Sequence, residues 1–213
     1  MNENNKIKWK GGTLLAPLPA VMVSCGSMEK PNIITVGWTG ILNSDPPKTY
    51  VSIRKERFSH ALIKESGKFV INLTTEALAR ATDFCGVRSG KNYDKFKECG
   101  LTAVPAHELD DTPVIAESPI CLECRVCDIV PLGTHDMFMA DIVSVGIAPE
   151  LVDASGALHM DAAKLIAYAH GEYFALGKKL GDFGYSVRKK STIKRRAAKK
   201  RGQNANRKGT KGR

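Results

Sequence analysis

The sequence predicts a mainly β protein, an antiparallel β-barrel with a few helices. Short runs rich in β-branched and aromatic residues recur along the chain, and two or three small helical segments lie between them. Strands and helices do not alternate regularly, as a doubly wound parallel sheet would require. With 213 residues, 43% of them hydrophobic, the chain can bury one substantial core.

The first strand is predicted at Leu18–Ser24 and is expected to pair with the second, at Ile33–Trp38. A third strand, Thr49–Ile53, follows a turn built by the Asp-Pro-Pro sequence at 45–47. Proline fixes φ and has no N–H donor, so this sequence ends one run and begins a chain reversal.

The middle of the chain is predicted to mix helices with one apolar strand. Ser59 begins a helix that Gly67 stops, and the strand Phe69–Leu73 follows. A second helix runs from Thr74 or Thr75 to about Phe84. After a glycine-containing loop, a short third helix is expected at Tyr93–Glu98.

A long antiparallel hairpin is predicted in the second half. Alternating apolar positions over Ile120–Val130 indicate one strand, and Met137–Val145 forms its partner. The segment Asp161–Leu176 is predicted to begin as a helix and to break at glycine.

Charge divides the chain into a domain at residues 1–187 and a basic tail at residues 188–213. The tail holds thirteen of the 32 lysines and arginines and no acidic residue, which leaves 19 basic and 22 acidic residues in the body. We expect the tail to be disordered, as a plain solvated extension. Its charge density would favour RNA, DNA or an anionic membrane surface if it has a dedicated function, which is the alternative.

Membrane insertion is not predicted. The longest apolar run, Leu14–Val23, has ten residues and is interrupted by Pro17 and Pro19, so it is too short to span a bilayer. The N-terminal residues are polar, and we expect a cytoplasmic protein whose six cysteines remain thiols.

The stretch from Asn32 to Ser59 carries the residues that a flat, phosphorylated cofactor needs. Short polar groups suited to a heteroaromatic ring surround Trp38: Asn32, Thr35, Thr39, Asn43 and Ser44. Groups suited to a phosphate follow at Ser52, Arg54, Arg57 and Ser59, with Ile53 among them. One segment therefore has groups for both ends of flavin mononucleotide (FMN). An ordinary half-buried hairpin with a solvated basic loop is the alternative.

The order of these residues resembles the flavin reductase-like family, in particular its flavoredoxin branch. The resemblance rests on Asn32-x-x-Thr35-x-x-Trp38, Asn43-Ser44-x-Pro46-Pro47 and Ser52-Ile53-Arg54-Lys55-x-Arg57-x-Ser59. It continues through Phe69–Leu73, Ser89–Phe96 and Gly133-Thr134-His135, and it ends at about Arg188.

The resemblance implies an FMN-binding split barrel with Greek-key antiparallel strands, assembled as a homodimer with flavin near the subunit interface. It also places Lys91, Asn92 and Lys95 beside the cofactor, although a solvated surface helix explains them equally well. It places His135 near the flavin and its reductant, where a solvated turn histidine is the alternative.

Other cofactor and metal motifs are missing from the sequence. It has no G-x-G-x-x-G after a strand and no phosphate-binding P-loop, so NADH or NADPH would bind only transiently over the flavin. Cys121, Cys124 and Cys127 have the spacing of a metal site. Residues three apart on a strand face opposite ways, however, and this favours packing over metal binding.

These observations predict an FMN-dependent NAD(P)H oxidoreductase, in which hydride or electrons pass from a nicotinamide or a protein donor through FMN to an acceptor. The alternatives are a flavoredoxin-type electron carrier without a nicotinamide site, and a nucleic-acid-associated protein that acts through its tail.

Overall fold

The computed structural model describes residues 5–187, which are mainly β with a few short helices, as predicted. The strands are β1 Leu18–Pro19, β2 Val21–Gly26, β3 Pro31–Val36, β4 Thr39–Ser44, β5 Pro47–Arg54, β6 Lys68–Leu73, β7 Ala103–Pro105, β8 Pro113–Ile115, β9 Ile120–Pro131, β10 His135–Ile147, β11 Ile166–Ala169 and β12 Glu172–Ala175. The α-helices are α1 Phe58–Ser66, α2 Ala79–Val87 and α3 Lys95–Cys99, and short 3₁₀ helices lie at Glu76–Leu78, Pro149–Leu151, Met160–Ala163 and Tyr185–Val187.

Seven strands form one antiparallel sheet in the order β3-β2-β6-β9-β10-β5-β4. The predicted pairing of the first two strands is confirmed, since β2 pairs with β3 over Val21–Gly26. The predicted long hairpin is also confirmed in β9 and β10. The sequence reading missed β4, which lies between the second predicted strand and the Asp-Pro-Pro turn and pairs with β5.

The central core fills the inside of this sheet. Phe69, Phe138, Val51 and Ile53 are almost fully buried in it, and Ile63 from α1 packs against them. Burying each such side chain contributes roughly 1.5–3 kcal/mol, so the core fixes α1 against the sheet. α1 is thereby held against β2, β3 and β6.

The prediction of a helical start over Asp161–Leu176 was wrong beyond its first turn. After the 3₁₀ helix at Met160–Ala163, the chain forms the hairpin β11–β12, which joins β1 in a separate three-stranded sheet. The hairpin turns at His170 and Gly171, which both have positive φ (48° and 94°). A two-residue turn of this kind matches the twist of paired strands.

The three clustered cysteines occupy different environments. Cys124 is buried in the central core, whereas Cys121 packs on the other face of the sheet with Val70 and Leu109. This confirms that Cys121 and Cys124 face opposite ways. Cys127 is exposed, at a bulge in the pairing of β9 with β10. All six cysteines are free thiols.

The chain divides into two compact units, residues 1–176 and 177–213. In the second, the described residues 177–187 contain only the 3₁₀ helix Tyr185–Val187. The basic tail predicted at residues 188–213 lies outside the described residues, and the boundary at residue 187 stays a prediction. Within residues 5–187, no helix is long and apolar enough to cross a membrane.

Candidate functional site

Three adjoining cavities form a groove beside β3. The first, here called the basic cavity, has a volume of about 290 Å³ and is lined by Ile34, Glu56, Arg57, Phe58, Ser59, Cys85, Arg88, Ser89, Gly90 and Lys95. The second, the central cavity, measures about 250 Å³ and is lined by Ile34, Thr35, Trp38, Ser52, Ile53, Arg54, Arg57 and His135 among others. Ile34 and Arg57 line both cavities, so the two are continuous.

The third, the tyrosine cavity, also measures about 250 Å³. Its lining includes Ala20, Thr35, Gly37, Trp38, Asp83, Gly86, Val87, Tyr168, Gly171 and Tyr173. Thr35, Gly37 and Trp38 belong to the central cavity as well. The groove therefore runs from a cationic end, past Trp38, to an end lined by tyrosines.

The basic cavity lies at the beginning of α1. Arg57 is the residue before the helix, and its side chain does not cap the helix. The first N–H groups of a helix lack partners within it and carry a partial positive charge, so they attract anions. Arg57 and Arg88 add two guanidinium groups to the same cavity. This end of the groove is suited to a phosphate group.

Asn32 and Gly90 form a close contact at this end. The Asn32 amide nitrogen donates to Ser59 Oγ (2.7 Å) and to Cys25 Sγ (3.6 Å). Its Oδ1 atom is buried and has no partner among the described residues. A Cβ atom on residue 90 would lie 1.9 Å from Oδ1, so only glycine allows the loop to approach so closely. The buried acceptor fits a ligand that brings a hydroxyl donor.

Lys95 carries a buried positive charge under the basic cavity. Its side chain is 3% exposed, and Nζ donates to the carbonyl oxygens of Ile33 (2.6 Å) and Cys85 (2.9 Å). Burial lowers the pKa of Lys95. An ammonium group has three N–H donors, so one remains for a ligand in the cavity.

Trp38 and His135 supply aromatic side chains to the wall of the central cavity. Their rings are almost parallel, with an interplanar angle of 7° and centroids 6.4 Å apart. Burial, and secondarily the charge of Arg54, lowers the pKa of His135, so its imidazole is neutral at pH 7. Arg54 lies opposite His135 in the pairing of β5 with β10 and forms an exposed ion pair with Glu56 (3.6 Å).

Several predicted residues make structural contacts. Thr35 donates from Oγ1 to the carbonyl of Thr82, and Thr39 donates to the carbonyl of Tyr50 (2.6 Å). In the exposed turn, the Asn43 amide donates to the Pro46 carbonyl (2.9 Å), and Ser44 ends β4. Their roles towards a cofactor stay predictions.

Lys91 and Asn92 are exposed and lie directly after Gly90. The Lys91 backbone N–H donates to Ser89 Oγ (3.3 Å), and the Asn92 backbone N–H donates to the Ser89 carbonyl oxygen (3.1 Å). These contacts shape the loop that brings Ser89 and Gly90 into the basic cavity. Contact of Lys91 or Asn92 with a cofactor stays a prediction.

Sequence reasoning missed Arg88, Ser89 and Gly90 as cavity residues. They lie about 30 residues after Arg57 in the chain, and only the packing of α2 against β3 brings them there. The sequence Ser89-Gly90-Lys91 was a partial signal, because serine and glycine suit a loop that approaches an anion.

Comparisons with known proteins identify the family. A family model described as a flavin reductase like domain matches residues 14–177. The chain therefore belongs to the flavin reductase-like family. It is 30% identical to flavoredoxin of Desulfovibrio vulgaris (Miyazaki F), with a TM-score of 0.79, and the match covers 86% of this chain and 100% of that one.

Two further relatives agree with this family. Flavoredoxin from Methanosarcina acetivorans is 25% identical with a TM-score of 0.78, over 87% of this chain and 100% of that chain. The NADPH-flavin oxidoreductase of Streptomyces viridifaciens is 25% identical over 154 residues, 70% of this chain and 78% of that protein. The chain thus lies in the flavoredoxin branch, and its split-barrel fold is as the motifs implied.

Proposed function

We propose that this protein binds FMN along the groove and passes electrons through it from NADH or NADPH to an acceptor. The observation that carries the proposal is the continuity of the basic and central cavities through Ile34 and Arg57. One groove thereby offers an anion-binding end and an aromatic end, which are the two requirements of a flavin nucleotide.

The phosphate would be held in the basic cavity. Arg57, Arg88 and the first N–H groups of α1 supply charge-assisted donors, and the third N–H of Lys95 supplies another. A ribityl hydroxyl would donate to Asn32 Oδ1, the buried acceptor without a partner. Of the site residues predicted over Asn32–Ser59, Arg57 and Ser59 line the basic cavity, and Thr35, Trp38, Ser52, Ile53 and Arg54 line the central cavity.

The ring would lie in the central cavity beside Trp38 and Thr35. FMN, when bound, supplies the two-electron chemistry, and the protein positions it and limits the access of water. His135 is neutral at pH 7, so it can donate one hydrogen bond to the ring system or to a nicotinamide amide without adding charge.

A flavoredoxin-type electron carrier is the second candidate, and the similarity to flavoredoxins favours it. Such a carrier would keep FMN bound and exchange electrons with a protein donor or acceptor, without a nicotinamide site. The similarity to an NADPH-flavin oxidoreductase favours the first candidate.

An anaerobic titration separates the two candidates. The purified protein, loaded with FMN and freed of excess cofactor, should bleach at its flavin absorbance band when NADH or NADPH is added. Retained FMN that neither nucleotide bleaches, but that dithionite does, would support the carrier. A protein that retains no added FMN would overturn both.

Assembly and location are part of the proposal. We expect a cytoplasmic protein that forms a homodimer. Light scattering on the full chain would test the dimer. If the basic tail binds nucleic acid, deletion of Lys189–Arg213 should abolish retention on heparin at moderate salt. Equal retention of the truncated and full chains would contradict a role of the tail in binding polyanions.

A further inference from the structure

The tyrosine cavity is adjacent to the central cavity but has a different chemical character. The two share Thr35, Gly37 and Trp38 as a common wall. A molecule in the tyrosine cavity would therefore lie beside the ring end of the groove. This is where a second substrate of a flavin reaction must bind, because electrons pass between neighbouring molecules.

Aromatic side chains dominate the far wall of the tyrosine cavity. The rings of Tyr168 and Tyr173, on opposite strands of the hairpin β11–β12, meet edge to face with centroids 5.5 Å apart. Pairing of Tyr168 with Leu18 ties this hairpin to β1. Trp38 completes a set of three aromatic groups that favours a flat, unsaturated ligand.

One carboxylate defines the charge of this cavity. The Tyr173 hydroxyl donates to Asp83 Oδ1 (3.4 Å). Burial, together with the neighbouring Asp83, raises the pKa of Tyr173 to about 12, so the hydroxyl stays neutral at pH 7. Within residues 5–187, no ion pair engages Asp83. Its negative charge contrasts with the basic cavity, where two arginines and a lysine outnumber the single carboxylate of Glu56.

A fourth cavity extends the available space. It measures about 290 Å³, shares Trp38, Tyr168 and Gly171 with the tyrosine cavity, and is otherwise lined mainly by apolar residues such as Leu14, Leu15 and Leu18. The combined space is within the range of about 300–1,000 Å³ that is typical of small-molecule sites. A ligand of two fused rings therefore has room.

We propose that the tyrosine cavity binds the electron acceptor, and that this acceptor is a planar aromatic molecule without negative charge, such as a quinone. This proposal rests on the proposed function and adds its acceptor class. A quinone would accept a hydride from the reduced flavin and a proton from solvent, which yields the hydroquinone and returns the flavin to its oxidised form. Asp83 disfavours an anionic acceptor at the same place.

Two matched quinones test the charge preference. The probes are 2,3-dimethyl-1,4-naphthoquinone and its 6-carboxylate derivative, which differ by one negative charge and have no free ring position where a thiol would add. Their affinities for the FMN-loaded protein are measured by isothermal titration calorimetry, without reductant. Asp83→Asn removes the charge at nearly constant shape, and Glu150→Gln, an exposed site elsewhere, removes one charge as the control.

The wild type and Glu150→Gln should bind the neutral quinone more tightly than the carboxylate. Asp83→Asn should narrow that preference by about fivefold or more, the effect of one unit charge at about 4 Å in a water-like dielectric. Tyr173→Phe should weaken the affinity for both probes, because Asp83 loses its hydroxyl contact and the tyrosine pair loses a polar anchor.

The result that overturns the proposal is an equal preference in the wild type and Asp83→Asn while both still bind FMN. A second contrary result is that Asp83→Asn or Tyr173→Phe changes the affinity for NADH and leaves the affinities for both quinones unchanged. That result would also overturn the proposal, and it would assign the cavity to the electron donor. Loss of FMN binding in the wild type would instead overturn the proposed function itself, so the two failures are distinguishable.

Discussion

His60 and Asp136 form a buried hydrogen bond that connects the two ends of the candidate site. His60 Nε2 lies 2.8 Å from Asp136 Oδ2, and both side chains are about 10% exposed. His60 follows Ser59 of the basic cavity, and Asp136 follows His135 of the central cavity. The His60 ring also packs edge-on against the core residue Phe138, with centroids 5.1 Å apart. The pair thus fixes α1 against β10.

Replacing His60 with leucine should destabilise the fold and weaken FMN binding, because the carboxylate loses its buried donor and α1 loses an anchor. Urea unfolding and FMN titration measure the two effects. His159→Leu is the matched control, since His159 also lies 2.8 Å from an aspartate, Asp153, but is half exposed. Equal losses of stability in the two variants would contradict the role of burial.

The same pair predicts a dependence of stability on pH. The hydrogen bond from His60, followed by the contact with Lys55, lowers the pKa of Asp136. A carboxyl with a lowered pKa contributes stability that is fully present above its unfolded pKa, about 3.9, and is lost as pH falls through the folded value. The stability difference between wild type and His60→Leu should therefore shrink in acid. A difference that stays constant down to pH 2 would argue against this contribution.

Arg57 should contribute more to FMN affinity than Arg54. Arg57 lines both cavities at the helix start, whereas Arg54 is about half exposed and is paired with Glu56. Arg57→Ala should weaken binding roughly 10- to 100-fold, the loss of about 1.5–3 kcal/mol from a charge-assisted contact. Arg54→Ala should have a smaller effect, and exposed Arg125→Ala serves as the control. Flavin fluorescence titration ranks the three variants, and unchanged affinity in Arg57→Ala would remove it from the phosphate site.

Gly90→Ala should reduce FMN affinity with little effect on the remaining fold. The added Cβ would lie 1.9 Å from Asn32 Oδ1 and 3.0 Å from Phe58 Cδ1, so the loop must move away from the basic cavity. Gly11→Ala, where nothing lies within 4 Å, is the control. FMN content after dialysis is the measurement. Full retention of FMN by Gly90→Ala would mean that the close approach of the loop is not needed.

Lys95→Met should lower the free energy of unfolding. Two buried carbonyl groups, those of Ile33 and Cys85, would lose their donor, at about 1–3 kcal/mol for each group left without a partner. Lys97→Met, on the exposed side of the same helix, should change stability little. Denaturant unfolding of both variants tests this difference, and a neutral Lys95→Met would show that water replaces the ammonium group.

Arg54→Ala should raise the pKa of His135. Burial lowers that pKa first and the charge of Arg54 lowers it further, so removal of the charge restores part of the shift. The neutral imidazole stabilises the fold above its unfolded pKa, and this contribution is lost as pH falls. Histidine NMR titration of wild type and variant measures the change. A lower pKa in the variant would contradict the electrostatic argument.

Local sequence patterns predicted those parts of the fold in which local and global preferences agree. The alternation over Ile120–Val130 predicted β9 correctly because successive residues of a strand face opposite sides of the sheet: Cys124 packs in the central core and Cys121 in a separate cluster with Val70 and Leu109. The spacing of Leu165, Ile166 and Tyr168 suggested a helix instead. The positive φ angles of His170 and Gly171 favour a hairpin there, and the dipeptide was the available signal.

Only the site residues that lie close together in the sequence could be predicted. Asn32, Arg57 and Ser59 lie in one recognisable stretch, and the structure brings them together at the basic cavity. Arg88 enters this site through tertiary packing alone, and Asp83 and Tyr173 meet across 90 residues of sequence. Local sequence patterns do not predict such long-range contacts, which only the structure shows.

Trp38 lines three adjoining cavities and is one of only two tryptophans in the chain. The other, Trp9, is 74% exposed. A Trp9→Phe protein would hence carry a single indole emitter, located where the two substrates would meet. The emission lifetime of Trp38 could then show which ligand is bound beside it during the reaction, without any attached dye.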